Sequence, residues 1–209
     1  MLSMPALETP RLVIRPFRMA DLQPVHHLFD VDLREVDLGT VGAQTLHERA
    51  EWLQWTVLSY TQLAKLYQPP YGERAVVHKH TQQLIGACGF VPCLDAFEQF
   101  AGFSPAPRPS QHWLTTPEFG LFYAITPAWQ GRGYATEAAR ALVDYAFQHL
   151  RLKRIVATTT YENAASLGVM RKLGMRLARN PYPEPPWLQV VGVLEHNVIS
   201  YDVMLSTPA

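Results

Sequence analysis

The spacing of hydrophobic and polar positions changes several times along the chain, and each change marks an expected element. Arg11–Phe17 (RLVIRPF) alternates, with Leu12 and Ile14 on one face, and predicts a short opening strand closed near Pro16. Asp21 is placed to cap a short helix reaching Phe29, with Pro24 in its first turn, where a missing N–H is harmless. A longer helix then opens on Thr45-x-x-Glu48, a capping box in which each side chain satisfies an orphan amide. Leu46, Ala50, Leu53, Val57, Tyr60, Ala64 and Tyr67 follow at steps of four and three. Trp52, Trp55 and Leu63 widen that stripe into a face suited to packing on a core.

Pro69-Pro70 ends this helix. Arg74–His80 and Leu84–Val91 are β-rich, and the polar link Thr81-Gln82-Gln83 predicts a hairpin. Pro92–Pro117 carries five prolines together with Phe97, Phe100, Phe103 and Trp113, and predicts a long loop of the kind that usually serves function. Beyond it the pattern alternates regularly: strand Glu118–Ile125, helix Gly133–Leu150, strand Arg154–Thr159, helix Ala164–Leu173. Gly174 stands where a left-handed helix cap belongs, and Trp187–Glu195 with Val198–Leu205 predict a closing strand pair. Helices laid over a central sheet in one α/β domain spanning 1–209 is the architecture implied.

Composition narrows the function classes. Eighteen basic residues balance eighteen acidic ones, which gives no electrostatic reason to expect nucleic acid or an anionic membrane as partner. No apolar run approaches the roughly 18–20 residues of a membrane span, and the N-terminus lacks the pattern of a secretory leader, so a cytoplasmic protein is expected. Cys88 and Cys93 fit no zinc or redox spacing, and the histidine pairs His26-His27 and His78-x-His80 lack further ligands, so no metal is expected.

The most informative stretch is Gln130-Gly131-Arg132-Gly133-Tyr134-Ala135, lying between a strand and an amphipathic helix. A helix start leaves backbone N–H groups unpaired at its positive dipole end, and glycines let phosphate oxygens come close. Thr136 adds a hydroxyl and Arg132 a charge. A dinucleotide fingerprint would need glycine at Thr136 and an acidic residue near Lys153 and Arg154, and a Walker loop would need Gly-Lys-Ser/Thr. Neither is present.

Gln130, Gly133 and Ala135 match Gln-x-x-Gly-x-Ala, which resembles the pyrophosphate-binding signature of the GNAT (GCN5-related N-acetyltransferase) superfamily. FGLFYAITPAWQGRGYATEAARALVDYAF, ENAASLGVMRKLGM, the opening ETPRLVIRPFRMADL and LIGACGF are similar to its RimJ/RimL-like branch. The resemblance implies a mostly antiparallel mixed sheet of about seven strands, splayed between the fourth and fifth and flanked by about four helices. By the same resemblance the splayed strands are Phe119–Ile125 and Arg154–Thr159. The pantetheine arm of acetyl-CoA would lie between them on the backbone of Tyr123, Ala124 and Ile125, and its diphosphate on Gln130, Gly131, Arg132, Gly133, Tyr134, Ala135 and Thr136. Asn163 corresponds to a cofactor-contacting asparagine and equally suits a helix N-cap.

The activity implied is direct acetyl transfer to a primary amine, either a protein N-terminal α-amine or a small-molecule amine. The alternative is a non-catalytic acyl-CoA-binding module of the same fold. Glu118 is the candidate base and Ser166 the candidate donor to the departing thiolate. Many relatives carry a tyrosine seven residues after the asparagine, where this chain has Met170, and a thioether donates no proton. A monomer or homodimer is expected from the relatives.

Overall fold

The computed structural model describes residues 4–36, 42–100, 103 and 114–196. Eight strands form one sheet: β1 (Leu7–Glu8), β2 (Leu12–Arg15), β3 (Gly72–His78), β4 (Leu84–Asp95), β5 (Thr116–Ile125), β6 (Arg154–Thr159), β7 (Arg176–Arg179) and β8 (Val190–Glu195). Their order is β1-β2-β3-β4-β5-β6-β8-β7. Every pairing is antiparallel except β5 with β6, which is parallel and consists of the single pair Gly120↔Val156. The expected splay is therefore present, between β5 and β6 because the two-residue β1 adds one to the count.

Four helices cover the sheet: α1 (Leu22–His26), α2 (Leu46–Lys65), α3 (Tyr134–Gln148) and α4 (Ala164–Leu173). Ala138, Leu142 and Ala146 of α3 and Met170 and Leu173 of α4 pack with Ile14, Phe90, Leu121 and Ile155 into the core on one face. Val25 of α1 and Leu53 of α2 pack with Ala75, Ala87 and Ala124 on the other. Phe97, Phe100 and Leu188 cover Val156, Val191 and Val193 on that second face. Because strand side chains alternate, neighbouring residues of β5 belong to opposite cores, with Leu121 under α3 and Phe122 toward α2.

The Thr45–Glu48 capping box is present, with Glu48 N–H donating to Thr45 Oγ1 at 3.3 Å and Thr45 N–H to Glu48 Oε2 at 2.8 Å. The buried face of α2 differs from the expected one. Trp55 is 62% exposed and Tyr67 lies past the helix end, whereas Arg49 is buried. Arg49 can sit inside because Asp30 takes both arms of its guanidinium, at 2.7 and 2.8 Å, between the rings of Phe29 and Trp52. That ion pair rotates the apolar stripe away from Trp55.

Other elements shift in ways with local causes. Asp21 does not cap α1 with its side chain. It accepts from Arg18 N–H and pairs with Arg15 instead, and α1 continues as a wider turn over His27–Asp32. Strand β4 runs through Pro92 to Asp95, because β3 has ended opposite Phe90 and the missing donor falls where β4 has one neighbour. Strand β7, four residues reading RLAR, carries no hydrophobic alternation and lies at the sheet edge, where charge is an advantage. The expected strand Val198–Leu205 lies outside the described residues, and the observed partners of β8 are β6 and β7.

At Gly120 a Cβ would collide with the Cys93 Sγ and come within 2.8 Å of the Val91 carbonyl oxygen. Glycine therefore lets β4 and β5 close up at the point where β6 makes its single ladder pair with β5. Gly120→Ala is expected to cost about 1–3 kcal/mol, read as a lower urea midpoint with unchanged slope. An unchanged midpoint would show that the strands yield freely there.

Candidate active site

Beyond the Gly120↔Val156 pair, β5 and β6 separate and a cleft of about 630 Å³ opens between them. The β6-facing backbone groups of β5 past Gly120 have no ladder partner on that side, so an extended ligand could take a strand's place. Leu121–Ile125 form one wall and Ala157–Thr160 the other.

The cleft ends at the start of α3. After Ile125 the chain makes a short turn over Pro127–Trp129, and Gln130 donates its side-chain N–H to the Ile125 carbonyl at 2.7 Å. Gly131 and Gly133 have φ of 73° and 82°, a conformation that costs other residues more than glycine. Gly133 is the N-cap of α3 and has no side chain to offer. The Glu137 N–H reaches the Gly133 carbonyl at 3.0 Å, so the amides of Tyr134, Ala135 and Thr136 have no partner within the helix. All three residues line the cleft. The result is an uncapped, positively polarised helix start facing an elongated cavity.

Residues more than a hundred positions away hold this turn. Thr9 Oγ1 donates to Glu137 at 2.6 Å, Arg11 Nε donates to the same carboxylate at 2.6 Å, and Arg11 Nη1 reaches the Arg132 carbonyl at 3.1 Å. The Arg11 guanidinium also lies 4.3 Å from the centre of the Tyr134 ring. Behind the turn, His78, Trp129 and Tyr134 pack ring against ring.

On the opposite wall Asn163 caps α4, its Oδ1 accepting from Ser166 N–H at 3.0 Å. The capping role is thus present, and the side-chain NH2 is what Asn163 retains for a ligand. The Tyr123 hydroxyl lies 2.8 Å from Ser166 Oγ and donates to the Ser166 carbonyl at 3.3 Å. Burial pushes the Tyr123 phenol above its ordinary pKa, against the opposing hydrogen bond from Ser166. The phenol therefore keeps its proton at neutral pH.

Tyr123, Ala124, Ile125, Gln130, Gly131, Gly133, Tyr134, Ala135, Thr136, Asn163 and Ser166, separated along the sequence, line this one cleft. Arg132 and Glu118 are not among its lining residues. The Arg132 guanidinium sits over Trp129 at 5.3 Å. Both oxygens of Glu118 are held by Arg154, one at 2.7 Å from Nε and the other by Nη2.

Sequence reasoning assigned Tyr123 through its backbone and missed its side chain, whose meeting with Ser166 has no local signal. It also missed Lys172, Cys93 and Trp187, all of which line the cleft. Cys93 is an unreactive thiol, pushed up to about 11 by burial and then by Asp95 and Glu118. Met170 is fully buried near Gly192, where a Cβ would come 3.1 Å from its sulfur. Among the described residues no group of three or more His, Cys, Asp or Glu is placed to hold a metal, and no helix is long and apolar enough to cross a membrane.

A mostly antiparallel sheet parted at one parallel contact, with its gap closing on a bare helix start, defines an α/β fold suited to an extended, diphosphate-bearing ligand. Residues 11–176 match the family described as acetyltransferase (GNAT) domain, and the chain belongs to that family. Among curated proteins it is similar to the uncharacterized N-acetyltransferase YnaD of Bacillus subtilis, 46% identical over 58 residues, covering 28% of this chain and 34% of that protein. It is also similar to the FsC-acetyl coenzyme A-N(2)-transacetylase of Aspergillus fumigatus, 30% identical over 131 residues, covering 56% and 54% of the two chains. The chain thus spans about a third and about half of the length of these relatives. The fold is shared with RimL, the ribosomal L7/L12 α-N-protein acetyltransferase solved with coenzyme A, at TM-score 0.61 and 13% identity over 90% of this chain and 95% of that one.

The clamp on α3 has a pH signature. Burial raises the Glu137 carboxyl, but hydrogen bonds from Thr9 and Arg11 outweigh it and hold the group below its ordinary value. A lowered folded pKa contributes stability above the unfolded value and loses it as pH falls through the folded one. Glu137→Gln is therefore expected to melt below the wild type at neutral pH, with the gap closing as the pH falls below the ordinary carboxylate range. A gap independent of pH would rule out the ionised clamp.

Proposed function

We propose that the chain transfers an acetyl group directly from acetyl-CoA to a primary amine, either a protein N-terminal α-amine or a small-molecule amine. The observation that carries this reading is the uncapped start of α3 at the end of the gap between β5 and β6. The unpaired amides of Tyr134–Thr136 suit the diphosphate, and the free edge of Tyr123–Ile125 suits the amide groups of the pantetheine arm. Lys172, on the cleft wall, adds a positive charge for phosphate. When bound, the thioester supplies an activated acetyl group.

The chain's own residues orient this group and handle one proton. Ser166 gives its hydroxyl proton to the departing thiolate, the Tyr123 phenol, 2.8 Å away, restores it, and the proton released by the amine nitrogen reaches the phenol through solvent. Tyr123 thereby supplies the phenol that Met170 does not, which favours catalysis over a non-catalytic acyl-CoA-binding module. Neither cysteine carries the acetyl group in this reading, since Cys88 and Cys93 are pushed up to about 12 and about 11 by burial. Glu118 acts as a strut paired with Arg154 rather than as the base.

Calorimetric titration with acetyl-CoA tests the binding step. Gly133→Glu is expected to weaken binding at least roughly tenfold by placing a carboxylate at the helix start. Gly133→Asn, which tolerates the same backbone conformation, should retain most of the affinity. Absence of binding by the wild type would sink the proposal. For the chemical step, Tyr123→Phe and Ser166→Ala are each expected to lower kcat by on the order of ten- to a hundredfold, the low end for a proton donor because coenzyme A thiolate is a fair leaving group. Acetyl-CoA affinity should be unchanged, and full kcat in both variants would remove the pair from the mechanism.

A further inference from the structure

The gap between β5 and β6 has a closed end as well as an open one. It starts at the ladder pair Gly120↔Val156 and runs along Leu121–Ile125 toward the start of α3. Val91 and Cys93 of β4 line the same cleft. Both stand against Gly120, where a Cβ would collide with Cys93 Sγ and come 2.9 Å from Val91 Cγ2. These two side chains therefore fill the room that a side chain at 120 would take, at the end where the strands meet.

The filling is apolar and backed from behind. Burial keeps the Cys93 thiol protonated, and Cys93 packs against the cluster of Phe97, Phe100 and Val156. Atoms packed in this way yield little to an additional methylene.

The length of the cosubstrate decides what meets this end. From the diphosphate ester oxygen to the sulfur the pantetheine arm has about twelve bonds, and a backbone residue has three spanning roughly 3.3–3.6 Å, so the extended arm matches about four residues of strand. With the diphosphate at the start of α3 and the arm on β5 from Ile125, four residues lead back to Leu121. One more residue reaches Gly120, and the carbonyl carbon and methyl of an acetyl group take up about that distance. A longer acyl chain runs into Val91 and Cys93.

We infer that Val91 and Cys93 are specificity-determining residues that set the length of the acyl group, admitting acetyl and obstructing propionyl and longer chains. This inference rests on the transferase reading above and concerns the donor alone. Whatever the chain length, the C–S bond breaks as the N–C bond forms, the amine loses one proton and the thiolate gains one.

Calorimetric titration with coenzyme A, acetyl-CoA, propionyl-CoA and butyryl-CoA tests this without an acceptor. The wild type is expected to bind butyryl-CoA roughly tenfold or more weakly than acetyl-CoA, with propionyl-CoA between them. The double variant Val91→Ala/Cys93→Ala loses two methyl groups and a sulfur, and the cavity left can take a longer chain. Its affinity for butyryl-CoA should come within about threefold of that for acetyl-CoA. Free coenzyme A, which has no acyl group, should keep its affinity. Each single substitution should move the ratio part of the way, which preserves the test if the double variant does not fold.

Equal affinity of the wild type for acetyl-CoA and butyryl-CoA would overturn the inference. So would a ratio that none of the variants moves, or variants that weaken all four ligands alike, the mark of a structural role only. Those results leave acetyl transfer standing. A wild type that binds neither coenzyme A nor acetyl-CoA would instead overturn the transferase reading and this inference with it.

Discussion

The active site depends on one backbone contact. Strands β5 and β6 share a single ladder pair, Gly120 with Val156, while β5 keeps its full antiparallel ladder to β4 and β6 its own to β8. Each wall of the gap is thus rigid on its far side and free on its near side. A continuous β5–β6 ladder would satisfy those backbone groups internally and leave no room for a ligand. Loss of the contact would leave β6, β8 and β7 attached to the remaining strands mainly through packing. Gly120 sits at the compromise, with no side chain to hold β4 away.

Around this opening the fold places groups that do not need to move. The α3 start is fixed from behind by aromatic packing and from the side by Arg11 and Thr9. Asn163 fixes the α4 start, and with it the position of Ser166 beneath the Tyr123 hydroxyl. Preorganised donors of this kind gain most in a confined, poorly solvated cavity.

Legibility in the sequence followed locality. Strand β6, helix α4, the capping box of α2 and the left-handed Gly174 cap were readable because a few consecutive residues determine each of them. The glycine turn that opens α3 was readable for the same reason. The features that could not be read are those that join distant segments. The Asp30–Arg49 pair turns an expected apolar face, the Arg154 clamp occupies Glu118, and the Tyr123–Ser166 contact gives a backbone position a chemical side chain. Strand β7 escaped because an edge strand of four residues with charged ends shows no alternation.

The clamp from Thr9 and Arg11 to Glu137 bridges 126 to 128 residues of sequence. During synthesis the N-terminal segment must therefore wait until most of the chain has emerged before its partner exists, and the turn that opens α3 is among the last parts to be set. Contacts of such long range slow folding because loop-closure entropy precedes any gain. A change to the first dozen residues, remote in sequence from α3, would act on the cleft directly by loosening the helix start that closes it.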